Sequence, residues 1–206
     1  MTTTRLEAFS DGVLAIIITI MVLELKVPEE PTLHALRDSV GTGLLTYVLS
    51  FVFIGIYWSN HHHLFQLVDN VDGTILWANL HLLFWLSLYP FTTAWLDETD
   101  FARTPTVLYG LNLLAAAIGF ALLQLRILRV PGTGDRVRGA MGRDVKGKVS
   151  PVLYLTGIAL AFVTPWLALV PYVAVALIWL VPDRRVERFL AQERGAAPGA
   201  DQAGIG

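Results

Sequence analysis

From Gly12 to Leu23 the only polar side chain is Thr19, yet the residues leading into this run include Arg5, Ser10 and Asp11. A stretch this apolar belongs in a bilayer, as a helix that satisfies its own backbone hydrogen bonds. Desolvating an unpaired charge is expensive, so ionisable groups on a membrane helix usually face a protein interior or a water-filled path. The first segment is therefore the strongest constraint on the fold and the first place to look for function.

The rest of the chain repeats the pattern. With 54% hydrophobic and 16% charged residues among 206, it is too apolar for an ordinary soluble domain, and its charges sit in the loops. Six apolar stretches, at about 7–25, 44–65, 75–96, 105–127, 151–169 and 171–190, approach the ~20 residues of a spanning helix. The expected fold is an all-α integral membrane protein, one six-helix domain over residues 1–194. Pro165, Pro171 and Pro182 crowd the last two stretches, and the sixth is strongly apolar only to Val181. Residues 195–206 have no apolar face and are expected to be a disordered tail.

Charge placement gives the topology. Arg129, Arg136, Arg138, Arg143, Lys146 and Lys148 lie between the fourth and fifth stretches, and Arg184, Arg185, Arg188 and Arg194 follow the sixth. With an even number of spans these share a side with Arg5, and the positive-inside bias makes that side, with both termini, cytoplasmic. The opposite loops hold only Lys26, Arg37 and Arg103, beside Glu29, Glu30, Asp38, Asp97, Glu98 and Asp100. The basic loop reads as a topology signal in contact with lipid rather than as a nucleic-acid site. The absence of cysteine excludes a disulfide framework, a thiolate metal site and a cysteine nucleophile. The first segment lacks an Ala-x-Ala cleavage pattern and ends in Glu24-Leu25-Lys26-Val27-Pro28, so it is expected to be retained.

Residues three, four and seven apart share a helical face. Ile16, Thr19, Ile20 and Leu23 line one stripe of the first helix, extended by Phe9, Gly12 and Val13, while Ser10 and Asp11 are rotated toward neighbouring helices. Such a stripe serves equally as a packing face, with Thr19 bonded to its own backbone. The second helix ends in Tyr57-Trp58-Ser59-Asn60-His61-His62-His63. Three consecutive histidines point about 100° apart and lack the i,i+3 or i,i+4 spacing of chelating pairs, so no metal site is expected. One histidine is expected to turn inward as a partner of Asp11 or Ser10, in a network that includes Arg5. The third helix brings Asn79, which needs a partner on another helix, and Pro90, which should kink it. No nucleophile elbow, His-Glu-x-x-His motif or phosphate loop is present, so no enzyme is expected.

Arg5-x-x-x-Phe9-Ser10-Asp11 followed by Ile16 and Thr19 resembles the signature of the transmembrane protein 175 family of potassium-permeable channels. Trp58-x-x-His61-x-x-Leu64-Phe65-Gln66, then Asn79 and Pro90-Phe91, resemble its second and third helices. The likeness covers roughly the first hundred residues. It implies a single-repeat prokaryotic member in the bacterial inner (plasma) membrane. Four identical subunits would surround one pore lined by the first helices. In that setting Ile16 would form a hydrophobic constriction, with Thr19, Ile20 and Leu23 continuing the pore. Arg5, Phe9, Ser10, Asp11, Trp58, His61 and Asn79 would be the polar network that fixes the pore helix. The partners implied are copies of the chain itself, the lipid bilayer and permeating potassium and other monovalent cations, with no cofactor.

No Thr-Val-Gly-Tyr-Gly string is present, so a carbonyl-cage filter is not expected. One stripe cannot enclose a pore alone. A ring of isoleucines could gate by dewetting, and a ring of threonine hydroxyls could partly replace ion hydration. The alternative is a small secondary transporter or proton-coupled membrane protein using the inner Asp/His cluster. It would usually show inverted repeats or interrupted helices, and neither is legible.

Overall fold

In the computed structural model, residues 2–68, 70–134, 137 and 145–180 are described. Seven helices are defined among them: α1 (Thr3–Leu23), α2 (Leu33–Phe65), α3 (Gly73–Ser87), α4 (Tyr89–Glu98), α5 (Arg103–Ile127), α6 (Val145–Ala161) and α7 (Pro165–Leu180). Among the described residues four stretches are long and apolar enough to cross a membrane: Thr3–Leu23, Gly41–Phe65, Gly73–Glu98 and Arg103–Ile127. The expected tail over 195–206, the end of the sixth stretch beyond residue 180, and Arg136, Arg138, Arg143, Arg184, Arg185, Arg188 and Arg194 lie outside the described residues.

Local chemistry sets the helix ends. Thr32 caps α2 by accepting the Ala35 N–H at 3.1 Å, and α2 begins eleven residues before its expected start because this polar first portion has no hydropathy signal. Asp72 caps α3, accepting the Ile75 N–H and the Thr74 hydroxyl at 2.8 Å each. These two donors hold the Asp72 carboxyl below its ordinary range. Pro90 splits the third stretch: α3 ends at Ser87, Leu88 intervenes, and α4 starts with the proline in its first turn, where a missing N–H costs nothing.

The fifth and sixth stretches differ from expectation. α6 starts at Val145, runs through Pro151 and stops at Ala161, while α7 starts at Pro165 and runs through Pro171. Pro165 opens a helix rather than sitting within one, and each interior proline removes only one backbone bond.

α5 is the central element, packing against α3, α4, α6 and α7. Around it Phe53, Tyr89, Tyr109, Tyr172 and Tyr154 form a closed circuit of ring contacts with centroids 6.0–6.5 Å apart. Ser50 ties α2 to α4 and α5 through Thr93 at 2.7 Å and the Tyr109 hydroxyl at 3.0 Å. Asn112 donates to Thr92 at 3.3 Å, and among the described residues its carbonyl oxygen and the Tyr89 hydroxyl are buried without partners. The α4–α5 turn holds Asp100 and Phe101 at φ 47° and 58°. This conformation is strained for a bulky side chain, and Phe101 is buried there against Trp166 of α7, ring centroids 4.1 Å apart.

Small residues let α5, α6 and α7 close on Tyr172. A Cβ at Gly110 would strike the Tyr172 hydroxyl, and one at Gly157 would strike its ring, whereas one at Gly41 meets nothing within 4 Å. Gly157→Val should therefore lower stability by the ~1–3 kcal/mol typical of overpacking. Gly41→Ala should be neutral or slightly stabilising. Thermal unfolding of the detergent-purified variants checks both, and equal effects would mean that Gly157 is not a close-packing position.

Candidate functional site

α1 is attached along one side only. Leu6, Ser10, Leu14, Ile17 and Met21, spaced four, four, three and four apart, are buried against α2, α3 and α4. The other side is bare: Ile16 is 59% exposed and Leu23 79%, with Phe9, Gly12, Thr19 and Ile20 exposed between and beside them. At about 100° per residue, these exposed positions fall within one third of the helix circumference. They make an apolar stripe interrupted by one hydroxyl. The Thr19 hydroxyl donates to the Ile16 carbonyl at 2.9 Å. Its proton is thus committed, while its lone pairs remain on the exposed side.

The attached side is fixed by a chain of buried polar groups. The Ser10 hydroxyl donates to the Leu6 carbonyl at 2.9 Å, so its oxygen can only accept from Asn79, whose Nδ2 donates at 3.0 Å. That orients the Asn79 amide and turns its Oδ1 to His61 Nε2 at 2.8 Å. An amide oxygen cannot donate, so His61 carries its proton on Nε2. Ser10 and Asn79 are fully buried and His61 is 2% exposed. One residue from each of α1, α2 and α3 is joined, and each link of the chain is satisfied.

A second, more exposed row runs beside it. Trp58 Nε1 donates to Asp11 Oδ1 at 3.1 Å, and the Trp58 ring stacks on His62 at 6.3 Å between centroids. His62 Nδ1 lies 3.7 Å from the Glu7 carboxylate, and its Nε2 bonds the Gln66 amide at 2.8 Å. Glu7, Ser10 and Asp11 on α1 thus meet His62, His61 (through Asn79) and Trp58 on α2, the same i,i+3,i+4 spacing read in opposite directions.

The sequence suggested an inward histidine bonded to Asp11 or Ser10; His61 bonds neither directly, and the Asn79 amide spans the distance and relays to Ser10. Among the described residues no hydrogen bond or ion pair joins Arg5 to Asp11 or His61, and Arg5 is exposed, as is Phe9. His81 bonds Trp85 on its own helix at 3.3 Å. No group of three or more His, Cys, Asp or Glu suited to a metal is found among the described residues. Sequence reasoning missed the Glu7–His62 contact; its signal was the matching register of 7/10/11 and 58/61/62.

Residues 5–90, which span α1 to the start of α4, match the model of the family described as endosomal/lysosomal potassium channel TMEM175. A potassium channel of Chryseobacterium sp. (strain P1-3) is 50% identical over 192 residues, covering 93% of this chain and 100% of that protein. A potassium channel of Chamaesiphon minutus is 36% identical over 185 residues, covering 81% of this chain and 87% of its own. The crystal structure of a lysosomal potassium-selective channel TMEM175 homolog from Chamaesiphon minutus superposes with a TM-score of 0.73 at 33% identity, over 87% of this chain and 96% of that one. These likenesses run through the helices that carry the Ser10–Asn79–His61 chain and the bare stripe of α1, and the chain belongs to the TMEM175 family.

Proposed function

We propose that this chain is a potassium-permeable channel in which four copies surround a single pore, each contributing the bare stripe of α1. The observation that carries the reading is the two-sidedness of α1. One face is locked by buried polar bonds, while the opposite face is apolar, exposed and punctuated by a single hydroxyl. The names of its bacterial relatives and the fold match support the same activity. In this reading α1, α2, the α3–α4 pair, α5, α6 and α7 are the six spans. The protein is a multi-pass component of the bacterial inner membrane with both termini cytoplasmic.

Ile16 forms the constriction. A ring of four isoleucine side chains offers water no hydrogen bonds, so it closes by dewetting without a moving plug. Thr19, one turn further, supplies oxygen lone pairs to a partly dehydrated ion, its proton being held by the Ile16 carbonyl. Ile20 and Leu23 continue the lining. A proton-coupled transporter has less support, because the buried Ser10–Asn79–His61 chain contains a single titratable member.

Potassium flux into proteoliposomes tests the reading. Ile16→Asn should wet the constriction, and each ~1.4 kcal/mol taken off the barrier raises basal flux about tenfold. Ile16→Phe should reduce it. Unchanged flux in both would move the gate elsewhere.

Thr19→Val keeps the shape and removes the hydroxyl, so potassium preference over sodium should fall while conduction persists. Under bi-ionic conditions a tenfold loss of preference moves the reversal potential by about 59 mV. An unaltered reversal potential would assign selectivity to the Ile16 ring.

A further inference from the structure

A cavity of about 80 Å3 lies between α2, α5, α6 and α7. On α2 it is lined by Phe53, Ile56, Tyr57 and Asn60, which at about 100° per residue lie roughly opposite Trp58 and His62, the residues that meet Asp11 and Glu7 of α1, with Tyr57 one turn before His61. Phe120 of α5 and Trp179 of α7 supply further aromatic wall; among the described residues no charged side chain lines the space, and Lys146 Nζ stands over the Trp179 ring at 5.7 Å from its centroid.

Its polar groups are unevenly satisfied. Ser150 is fully engaged, donating to the Lys146 carbonyl and accepting from Trp179 Nε1, each at 2.8 Å. Tyr57 and Tyr154 are different. Both line the cavity, they are 8% and 2% exposed, and neither hydroxyl has a hydrogen-bond partner among the described residues. Hydroxyls without a protein partner that open onto an interior space are normally bonded to something within it, and two that border the same aromatic-walled space call for an occupant.

The lining restricts what that occupant can be. The described lining offers an anion no direct counter-charge and a cation no carboxylate, which favours a neutral ligand. Each phenol hydroxyl can donate and accept, which suits a group that does both. The aromatic walls favour an apolar remainder. At ~30 Å3 per water, the space matches about two or three waters, or a molecule of only a few non-hydrogen atoms. We infer that this cavity is a binding site for a small neutral alcohol, held by the Tyr57 and Tyr154 hydroxyls against the aromatic walls. Tyr57 and Asn60 directly precede Trp58, which bonds Asp11 of α1, and His61, which bonds Asn79 of α3, so occupancy acts on the segment that holds α1. That coupling rests on the channel reading above, whereas the binding does not.

The test uses the full chain in lipid nanodiscs with 3-fluoropropan-1-ol and 1-fluoropropane as probes, followed by 19F NMR. The alcohol should give a saturable shift absent from empty nanodiscs, with an affinity about tenfold above that of the fluoroalkane. Ala117→Leu, which fills the cavity from α5, should abolish saturation. The Tyr57→Phe/Tyr154→Phe variant, which keeps the volume, should erase the preference for the alcohol. Equal binding of both probes by the wild type, saturation that survives Ala117→Leu, or no saturable shift at all would overturn the site, the last leaving it to water. Potassium flux in proteoliposomes should change with the alcohol in the wild type and not in Ala117→Leu. Saturable binding with unchanged flux would refute the coupling alone, and a wild type without flux would refute the channel reading while the binding result stands.

Discussion

Asn79 bonds through both ends of its amide, to Ser10 on one helix and His61 on another, and the orientation of α1 depends on that one side chain. Between apolar helices in lipid, burial gives little preference for one rotation over another, because lipid tails are as apolar as leucine. A satisfied polar chain does. Turning α1 by one residue, about 100°, would carry Ser10 away from Asn79 and leave a buried amide donor unpaired, at a cost of roughly 1–3 kcal/mol. The rotation that satisfies Ser10 is also the rotation that leaves Ile16, Thr19, Ile20 and Leu23 bare.

The fold divides into two parts with different mechanical character. Around α5, the aromatic circuit of Phe53 and four tyrosines and the tight glycines at 110 and 157 make a body with little freedom to rearrange. α1 lies at the edge of that body, touching α2, α3 and α4. A helix held by one apolar stripe and two short polar rows presents its other face without distorting what supports it. α2 links the two parts, since its Trp58 and His61 hold α1 while its Phe53 and Tyr57 belong to the packed side.

Much of this was legible in the sequence, for reasons that can be named. α1 and α5 were placed within a few residues because long apolar runs bounded by charge have few alternatives in lipid. Ser10 and Asp11 were read as rotated off the Ile16 stripe, because helical spacing alone fixes which residues share a face. The break at Leu88 followed from Pro90. What failed was the placing of the prolines: Pro165, expected inside the fifth stretch, opens α7, while Pro151 and Pro171, where the last two stretches were expected to begin, sit inside helices, so the last two segments were displaced. The Asn79 relay was not legible either. Asn79 is 69 residues from Ser10 in sequence, and no local pattern reveals which of several polar groups an amide will bridge. The phenol-bordered cavity depends on four helices meeting, which hydropathy does not encode.

The central claim is that the bare stripe of α1 faces a shared aqueous pore. Because the chain contains no cysteine, single cysteines can be introduced one at a time along α1 with no background. A charged methanethiosulfonate reagent applied during potassium current recording then reports which positions border the conducting path. Modification should reduce current at Thr19→Cys, Ile20→Cys and Leu23→Cys and have no effect at Leu14→Cys, Ile17→Cys and Met21→Cys. Block at the second set, or equal reactivity around the helix, would contradict the account.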